Sequence, residues 1–115
     1  MPRKSFTLVI GEADRDIFEA IKKGTKKVET RAATPKYREV DAEDELVFVC
    51  GKKKFSKIVV SAHVFKTIEG LLKEYKVKDI NPALKTEKEL KKMWASFPGY
   101  PAKIRKHGLI AFELE

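Results

Sequence analysis

The hydrophobic positions fall into short blocks separated by glycine, proline and charge. Phe6 to Ile10 is apolar and rich in β-branched residues, which predicts a buried first strand ended by Gly11. From Asp14 to Lys23 the period changes. Ile17, Phe18 and Ile21 form a helical stripe, Asp14 is placed to cap it, and Lys22 and Lys23 occupy the last turn, where cations favour the helix dipole. Leu46 to Cys50 is almost wholly apolar and predicts a central strand. Gly51-Lys52-Lys53-Lys54 predicts a basic hairpin turn, and Lys57 to Phe65 the paired strand. Thr67 is placed to cap a second helix carrying Ile68, Leu71, Leu72 and Tyr75, and Ile80-Asn81-Pro82 marks a break. Thr86-Glu87-Lys88-Glu89 has the spacing of a capping box and opens a third helix with a stripe of Leu90, Met93, Trp94 and Phe97. Pro98-Gly99-Tyr100-Pro101 is expected to stop it, leaving Tyr100 in a loop, and Leu109 to Leu114 is the final strand. The remaining stretch, Ala32 to Asp44, contains Pro35 and mixed charge and reads as a loop. This order favours a mixed α+β fold over a parallel sheet: a small barrel-like sheet with about three helices around its openings.

Composition narrows the picture. At 115 residues the chain is expected to form one domain, residues 1–115, with room for a real core. No apolar run reaches the length of a membrane span, and Met1-Pro2-Arg3-Lys4-Ser5 is followed by no apolar signal core, so a cytoplasmic protein with no membrane partner is expected. The single Cys50 has no partner for an internal disulfide or a zinc site, so neither a metal nor a cofactor is expected, and Cys50 reads as a small apolar strand residue. The formal charge of +8 points to polyanions, chiefly nucleic acid.

The stretch that brings pattern and charge together is Gly24-Thr25-Lys26-Lys27-Val28-Glu29-Thr30-Arg31. Gly24 fits the position past a helix C-terminus, where positive φ is needed. If residues 27–31 form a strand, Val28 and Thr30 share one face while Lys27, Glu29 and Arg31 share the other, with Lys26 in the turn beside them. On periodicity alone this is a solvated edge strand whose charges pair with one another at under ~1 kcal/mol.

Set in the whole chain, the pattern Gly24-x-Lys26-x-x-Glu29-x-Arg31, followed by loop, strand, a helix-rich segment and an ending with Phe97, Tyr100 and Gly108-Leu109-Ile110-Ala111-Phe112, resembles the ASCH domains of the PUA-like superfamily. The resemblance runs from about Ile17 to Leu114 and is strongest to small stand-alone archaeal-type members. It implies a PUA-like pseudo-barrel with a cleft near Lys26, Glu29 and Arg31, and RNA or a modified nucleoside as the partner. One enzymatic group of the family hydrolyses the acetyl amide of N(4)-acetylcytidine with a lysine at the position of Lys26. That group carries threonine where this chain has Glu29, and it uses a helical-region glutamate for which Glu74 and Glu89 are both candidates here. A second departure is Glu43-Asp44, where family members usually have Gly-Asp.

Both chemistries suit the same side chains. Amide hydrolysis needs a base and an oxyanion partner, which Lys26 and Glu29 with Arg31 beside them can supply if Lys26 is desolvated. Binding without chemistry needs Lys26 and Arg31 on phosphate and Glu29 on a base amino group or orienting Arg31. A third possibility is a regulatory module that holds a protein or small anion in the same cleft. Further candidate contacts are Lys52 and Lys53, in a turn that is either solvated or on phosphate, Lys103 and Arg105 in a basic stretch, and Tyr100, which either stacks on a base or packs its loop. Trp94 reads as core, and His63 as a structural residue of its strand.

Overall fold

A computed structural model describes residues 3–115; Met1 and Pro2, part of the N-terminal stretch read above, lie outside them. Five strands form one mixed sheet: β1 (Ser5–Val9), β2 (Val28–Ala32), β3 (Glu45–Cys50), β4 (Lys53–Phe65) and β5 (Leu109–Leu114), in the order β1-β3-β4-β5-β2. β1 runs parallel to β3, and every other pairing is antiparallel. The helices are α1 (Arg15–Lys23), α2 (Pro35–Arg38), α3 (Ile68–Glu74), α4 (Val77–Ile80), α5 (Glu87–Ser96) and α6 (Tyr100–His107), and a turn of 3-10 helix, Glu12–Asp14, precedes α1.

The sheet curls because one long strand belongs to both halves. β4 pairs with β3 over Lys53–Ile58 and with β5 from Val59 onward. The change of partner falls at a register shift between Val59 and Ser61, where Val60 is left 57% exposed. A bulge of this kind bends the strand and increases its twist. The result is an α+β half-barrel whose two outer strands are β1 and β2.

Alternation along the strands sends apolar side chains to two cores. On one face Leu8, Leu46, Phe48, Ile110 and Phe112 pack on Phe18 and Ile21 of α1, which plugs the curl. On the other, Val28, Leu109 and Ala111 pack under Leu71, Leu90 and Trp94 of the helices that follow β4. Cys50 is fully buried at the end of β3, as its small apolar side chain suggested.

Most predicted boundaries hold. Gly24 closes α1 in the left-handed region (φ 85°, ψ 9°), and the Thr25 and Lys26 N–H groups reach back to the Ala20 carbonyl. The Thr67 hydroxyl accepts from the Gly70 N–H, and the Thr86–Glu89 capping box closes in both directions. Asp14 stands at the N-cap of α1 but makes no capping bond with its side chain. The stretch read as a loop after Ala32 contains α2, and the segment read as a stop after Phe97 opens α6, so Tyr100 is the first residue of a helix rather than part of a loop. Both discrepancies have one cause. By sequence Pro35 and Pro101 read as breakers, yet each sits in the first turn of its helix, where the missing N–H has no intrahelical partner anyway.

The Glu43-Asp44 departure resolves into a backbone feature. Glu43 has φ 76° and is the one non-glycine residue with positive φ among those described. The turn therefore takes the conformation that a glycine would adopt without strain, and Asp44 closes it by accepting from the N–H groups of Lys4 (3.0 Å) and Asp41 (2.8 Å). Relieving the left-handed strain outweighs the extra chain entropy of a glycine. Glu43→Gly is therefore expected to raise unfolding stability by about 0.5–1 kcal/mol, read as a higher urea midpoint at unchanged slope.

Candidate functional site

The hydrogen-bond alternation of the β2–β5 pair decides what the motif residues do. Leu114 N–H donates to the Lys27 carbonyl, and Ala33 N–H donates to the Gly108 carbonyl. Residues 29 and 31 are therefore the ones whose backbone groups face β5, and the backbone groups of Val28, Thr30 and Ala32 point away from the sheet. An outer strand of this kind normally needs protection. Here the motif's own side chains supply it. The Lys26 Nζ donates to the Val28 carbonyl (2.8 Å), and the Thr30 N–H donates to Glu29 Oε1 (3.1 Å).

The charges are not solvated, contrary to what periodicity alone suggested. Lys26 is 5% exposed and Glu29 is 6% exposed. The Lys26 ammonium also donates to the Ile80 carbonyl at the C-terminus of α4 and lies 3.4 Å from Glu29 Oε1. An ammonium has three protons, and these three oxygens account for all of them. Lys26 thus ties α1, β2 and α4 together. The second carboxylate oxygen, Glu29 Oε2, accepts from Arg31 Nη2 at 3.1 Å. Arg31 is 21% exposed, its guanidinium lies 5.9 Å from the centre of the Tyr37 ring, and no further protein acceptor meets it among the described residues.

Burial and charge pull against each other in this group. Desolvation dominates at Lys26 and lowers its pKa, with Arg31 adding to the shift and Glu29 opposing it. Burial pushes Glu29 up, but the two cations beside it and the Arg31 and Thr30 hydrogen bonds prevail and hold it below the ordinary carboxylate value. Burial also raises the Tyr100 phenol, against the pull of Arg31.

Glu29 and Arg31 project from the same face as Phe112 and Ile110, into the mouth of the curl where β1 and β2 come apart. A cleft of about 430 Å³ opens there. Lys26, Glu29, Thr30 and Arg31 form one side, and Val9, Ile10 and Gly11 come from the end of β1. Trp94, Phe97 and Tyr100 supply an aromatic wall, while Asp14, at the N-cap of α1, and Asp16, in its first turn, border the cleft. Phe97 is 38% exposed and meets Tyr100 edge to face at 5.2 Å. Trp94 is core, as expected, but its indole N–H also donates to the Thr30 hydroxyl at 3.3 Å, so the same ring braces β2 and borders the cleft.

Four of the residues singled out in the sequence therefore converge: Lys26, Glu29, Arg31 and Tyr100. Four others do not line the cleft. Lys52 and Lys53 sit at the β3–β4 hairpin, and Lys103 and Arg105 lie on the exposed face of α6. Glu74, at the end of α3, and Glu89, held in its capping box, do not line it either. His63 is exposed on β4. The residues missed are Thr30, Asn81, Asp14 and Asp16. Asp14 reads as a helix cap, Thr30 stands at an unfixed position within the motif, and Asn81 and Asp16 carry no motif that marks them.

Curled sheet, plugged mouth and helical layer together make this an α+β half-barrel consistent with the PUA-like pseudo-barrels. Two solved structures share the fold. Hypothetical protein PH0355 superposes with a TM-score of 0.79 at 24% identity, over 96% of this chain and 97% of that one. Protein PF0455 from Pyrococcus furiosus does so with a TM-score of 0.72 at 24% identity, over 99% and 96%. No protein-family model matches the chain, and no curated protein does. Among the described residues no helix is long and apolar enough to cross a membrane.

Proposed function

We propose that this is an ASCH-type domain that binds a nucleoside, or an unpaired base of RNA, in the cleft between β1 and β2. The observation that carries the proposal is the buried Lys26–Glu29–Arg31 group set beside an aromatic wall in a cleft of about 430 Å³. A fixed polar group and flat apolar walls are what recognition of a single base requires, and a duplex would not enter so small a space. Charge distribution agrees with a polyanionic partner. Residues 66–107, which contain the helices over the cleft, carry eleven Lys and Arg against five Asp and Glu, most of the chain's net +8.

Short single-stranded RNA is expected to bind with an affinity that falls as salt rises, because phosphate contacts release counterions. Arg31→Ala should weaken binding by roughly ten-fold or more, with some loss of stability because Glu29 Oε2 loses its partner, while Lys52→Ala and Lys53→Ala should change binding far less. Fluorescence anisotropy at two salt concentrations checks all three. Binding that ignores Arg31 but follows the hairpin lysines would remove the cleft from the account.

One observation favours a second function, hydrolysis of an acylated nucleoside: burial lowers the Lys26 pKa, as a catalytic amine requires. Its three committed protons count against that, since an amine held by two carbonyls and a carboxylate has none to exchange with substrate. Incubation with N(4)-acetylcytidine distinguishes the two. Release of cytidine by the wild type would make the protein an enzyme, its loss in Lys26→Met that is still folded by its urea midpoint would assign the step to Lys26, and no release would remove this second function.

A further inference from the structure

Not every polar group at the mouth of the curl is available to a ligand. Lys26 has no proton to spare, Glu29 is committed on both oxygens, and the Thr30 hydroxyl accepts from Trp94. The Asn81 amide is partly engaged, its oxygen accepting from the Ala83 N–H at 3.0 Å and one of its two N–H groups donating to the Met93 sulfur at 3.4 Å. The Thr30 hydroxyl proton, the second Asn81 N–H and the Tyr100 phenol are single neutral groups, and beside them two kinds of charged capacity remain. Arg31 commits one of its five donors to Glu29, which leaves four and no acceptor. Asp14 and Asp16 have no hydrogen-bond or ion-pair partner for their carboxylates among the described residues, and each brings acceptors only. A ligand that satisfies both must present paired acceptors to Arg31 and paired donors to a carboxylate, with a flat body between for the aromatic wall.

Among the four RNA bases, guanine alone has both edges. O6 and N7 form a two-acceptor edge that matches a guanidinium bidentately, and N1–H with the N2 amino group forms a two-donor edge that matches a carboxylate. Adenine and cytosine each mix a donor with acceptors, and uracil places a single donor between two carbonyls. Resting on the nucleoside-binding function proposed above, we propose that the cleft selects guanine, with Arg31 on the O6/N7 edge and Asp14 or Asp16 on the N1/N2 edge. Tyr37 is then a positioning residue: its ring lies under the Arg31 guanidinium while Glu29 fixes one nitrogen, so the free fork of Arg31 is held in a set orientation.

The test is titration of the full chain with guanosine, adenosine, cytidine and uridine, followed by calorimetry or by the fluorescence of the single Trp94. Guanosine should bind roughly ten-fold or more tightly than the other three. Two analogues then probe the edges separately. 7-Deazaguanosine lacks the N7 acceptor and inosine lacks the N2 amino group, and each should bind several-fold more weakly than guanosine. Arg31→Lys, which keeps the charge but not the fork, should abolish the difference between guanosine and 7-deazaguanosine. The double change Asp14→Asn and Asp16→Asn should abolish the difference between guanosine and inosine. Tighter or equal binding of adenosine, cytidine or uridine overturns guanine selection while leaving nucleoside binding in place. Binding of none of the four overturns the parent function and this inference with it. All the variants alter exposed or partly exposed side chains, so their folding can be verified by an unchanged urea midpoint before titration.

Discussion

Lys26→Met is expected to lower unfolding stability by about 3–5 kcal/mol, the cost of removing one partner from a buried charged pair. The substitution keeps most of the side-chain volume but strands the Val28 and Ile80 carbonyls and leaves Glu29 Oε1 with the Thr30 N–H alone. Glu29 would retain only Arg31 as a cationic neighbour. The loss should also depend on pH, in a direction fixed by the sign of the Glu29 shift. Because the folded pKa of Glu29 lies below its unfolded value of about 4.3, its stabilising contribution is complete above that value and disappears as pH falls through the lower, folded one. Wild-type protein should therefore lose stability more steeply than Lys26→Met in acid, so the gap between them should narrow as pH falls through the folded pKa of Glu29. Lys26 adds a second rise at higher pH. Its folded pKa is depressed, so between that value and about 10.4 the unfolded chain binds the proton more readily, and stability rises with pH across that window in wild type only. Urea midpoints measured from acid to alkaline pH for both proteins check the two limbs together. A pH-independent gap would mean that Lys26 contributes packing and not charge.

Gly108→Ala is the second change with a large expected effect. Gly108 joins α6 to β5 with φ 80° and ψ −168°, a region that side chains other than glycine's almost never occupy. It is also pinned on both sides, its N–H donating to Ile104 and its carbonyl accepting from Ala33. A β-carbon there would overlap the Phe65 carbonyl oxygen and stand 3.2 Å from the Phe65 carbonyl carbon and 3.4 Å from the Lys66 α-carbon, all of them backbone. Backbone strain and enforced displacement add to at least about 3 kcal/mol, or a melting temperature lower by roughly 10–20 °C. By comparison, a β-carbon at Gly24 meets nothing within 4 Å, so Gly24→Ala should cost only the left-handed strain, about 1 kcal/mol. Thermal melts of the two variants side by side separate steric exclusion from φ strain. Equal losses would show that the Phe65 carbonyl can yield.

Much of the fold was legible because local and tertiary demands agree. Leu46 to Cys50 is apolar enough to be central under any topology, Gly24 stands where only positive φ will serve, and Thr86 with Glu89 closes a helix end by itself. What escaped were α2 and α6, whose prolines look like terminators until their position within the first turn is known, and α4, which is too short to show a period. The site divides the same way. Lys26, Glu29 and Arg31 could be singled out by residue type and spacing, yet their burial follows from β2 lying at the open side of a curled sheet beneath Trp94, a relation across 64 residues of sequence that no local pattern carries. The shared face of Glu29 and Arg31 could be read from alternation, whereas the use of Lys26 and Glu29 to cover the free backbone groups of β2 could not. Asp14 and Asp16 reach the cleft through the placement of α1, so nothing in their neighbourhood distinguished them from ordinary first-turn acids.

The most direct test is a backbone-amide and indole NMR titration of the protein with a mixture of the four ribonucleosides. Shifts should concentrate at Thr30, Arg31, Asn81 and Tyr100 and at the Trp94 indole N–H, which borders the cleft and is bonded to Thr30. Shifts confined to the Lys52–Lys53 hairpin or to the exposed face of β4, with the Trp94 indole unmoved, would contradict binding in the cleft.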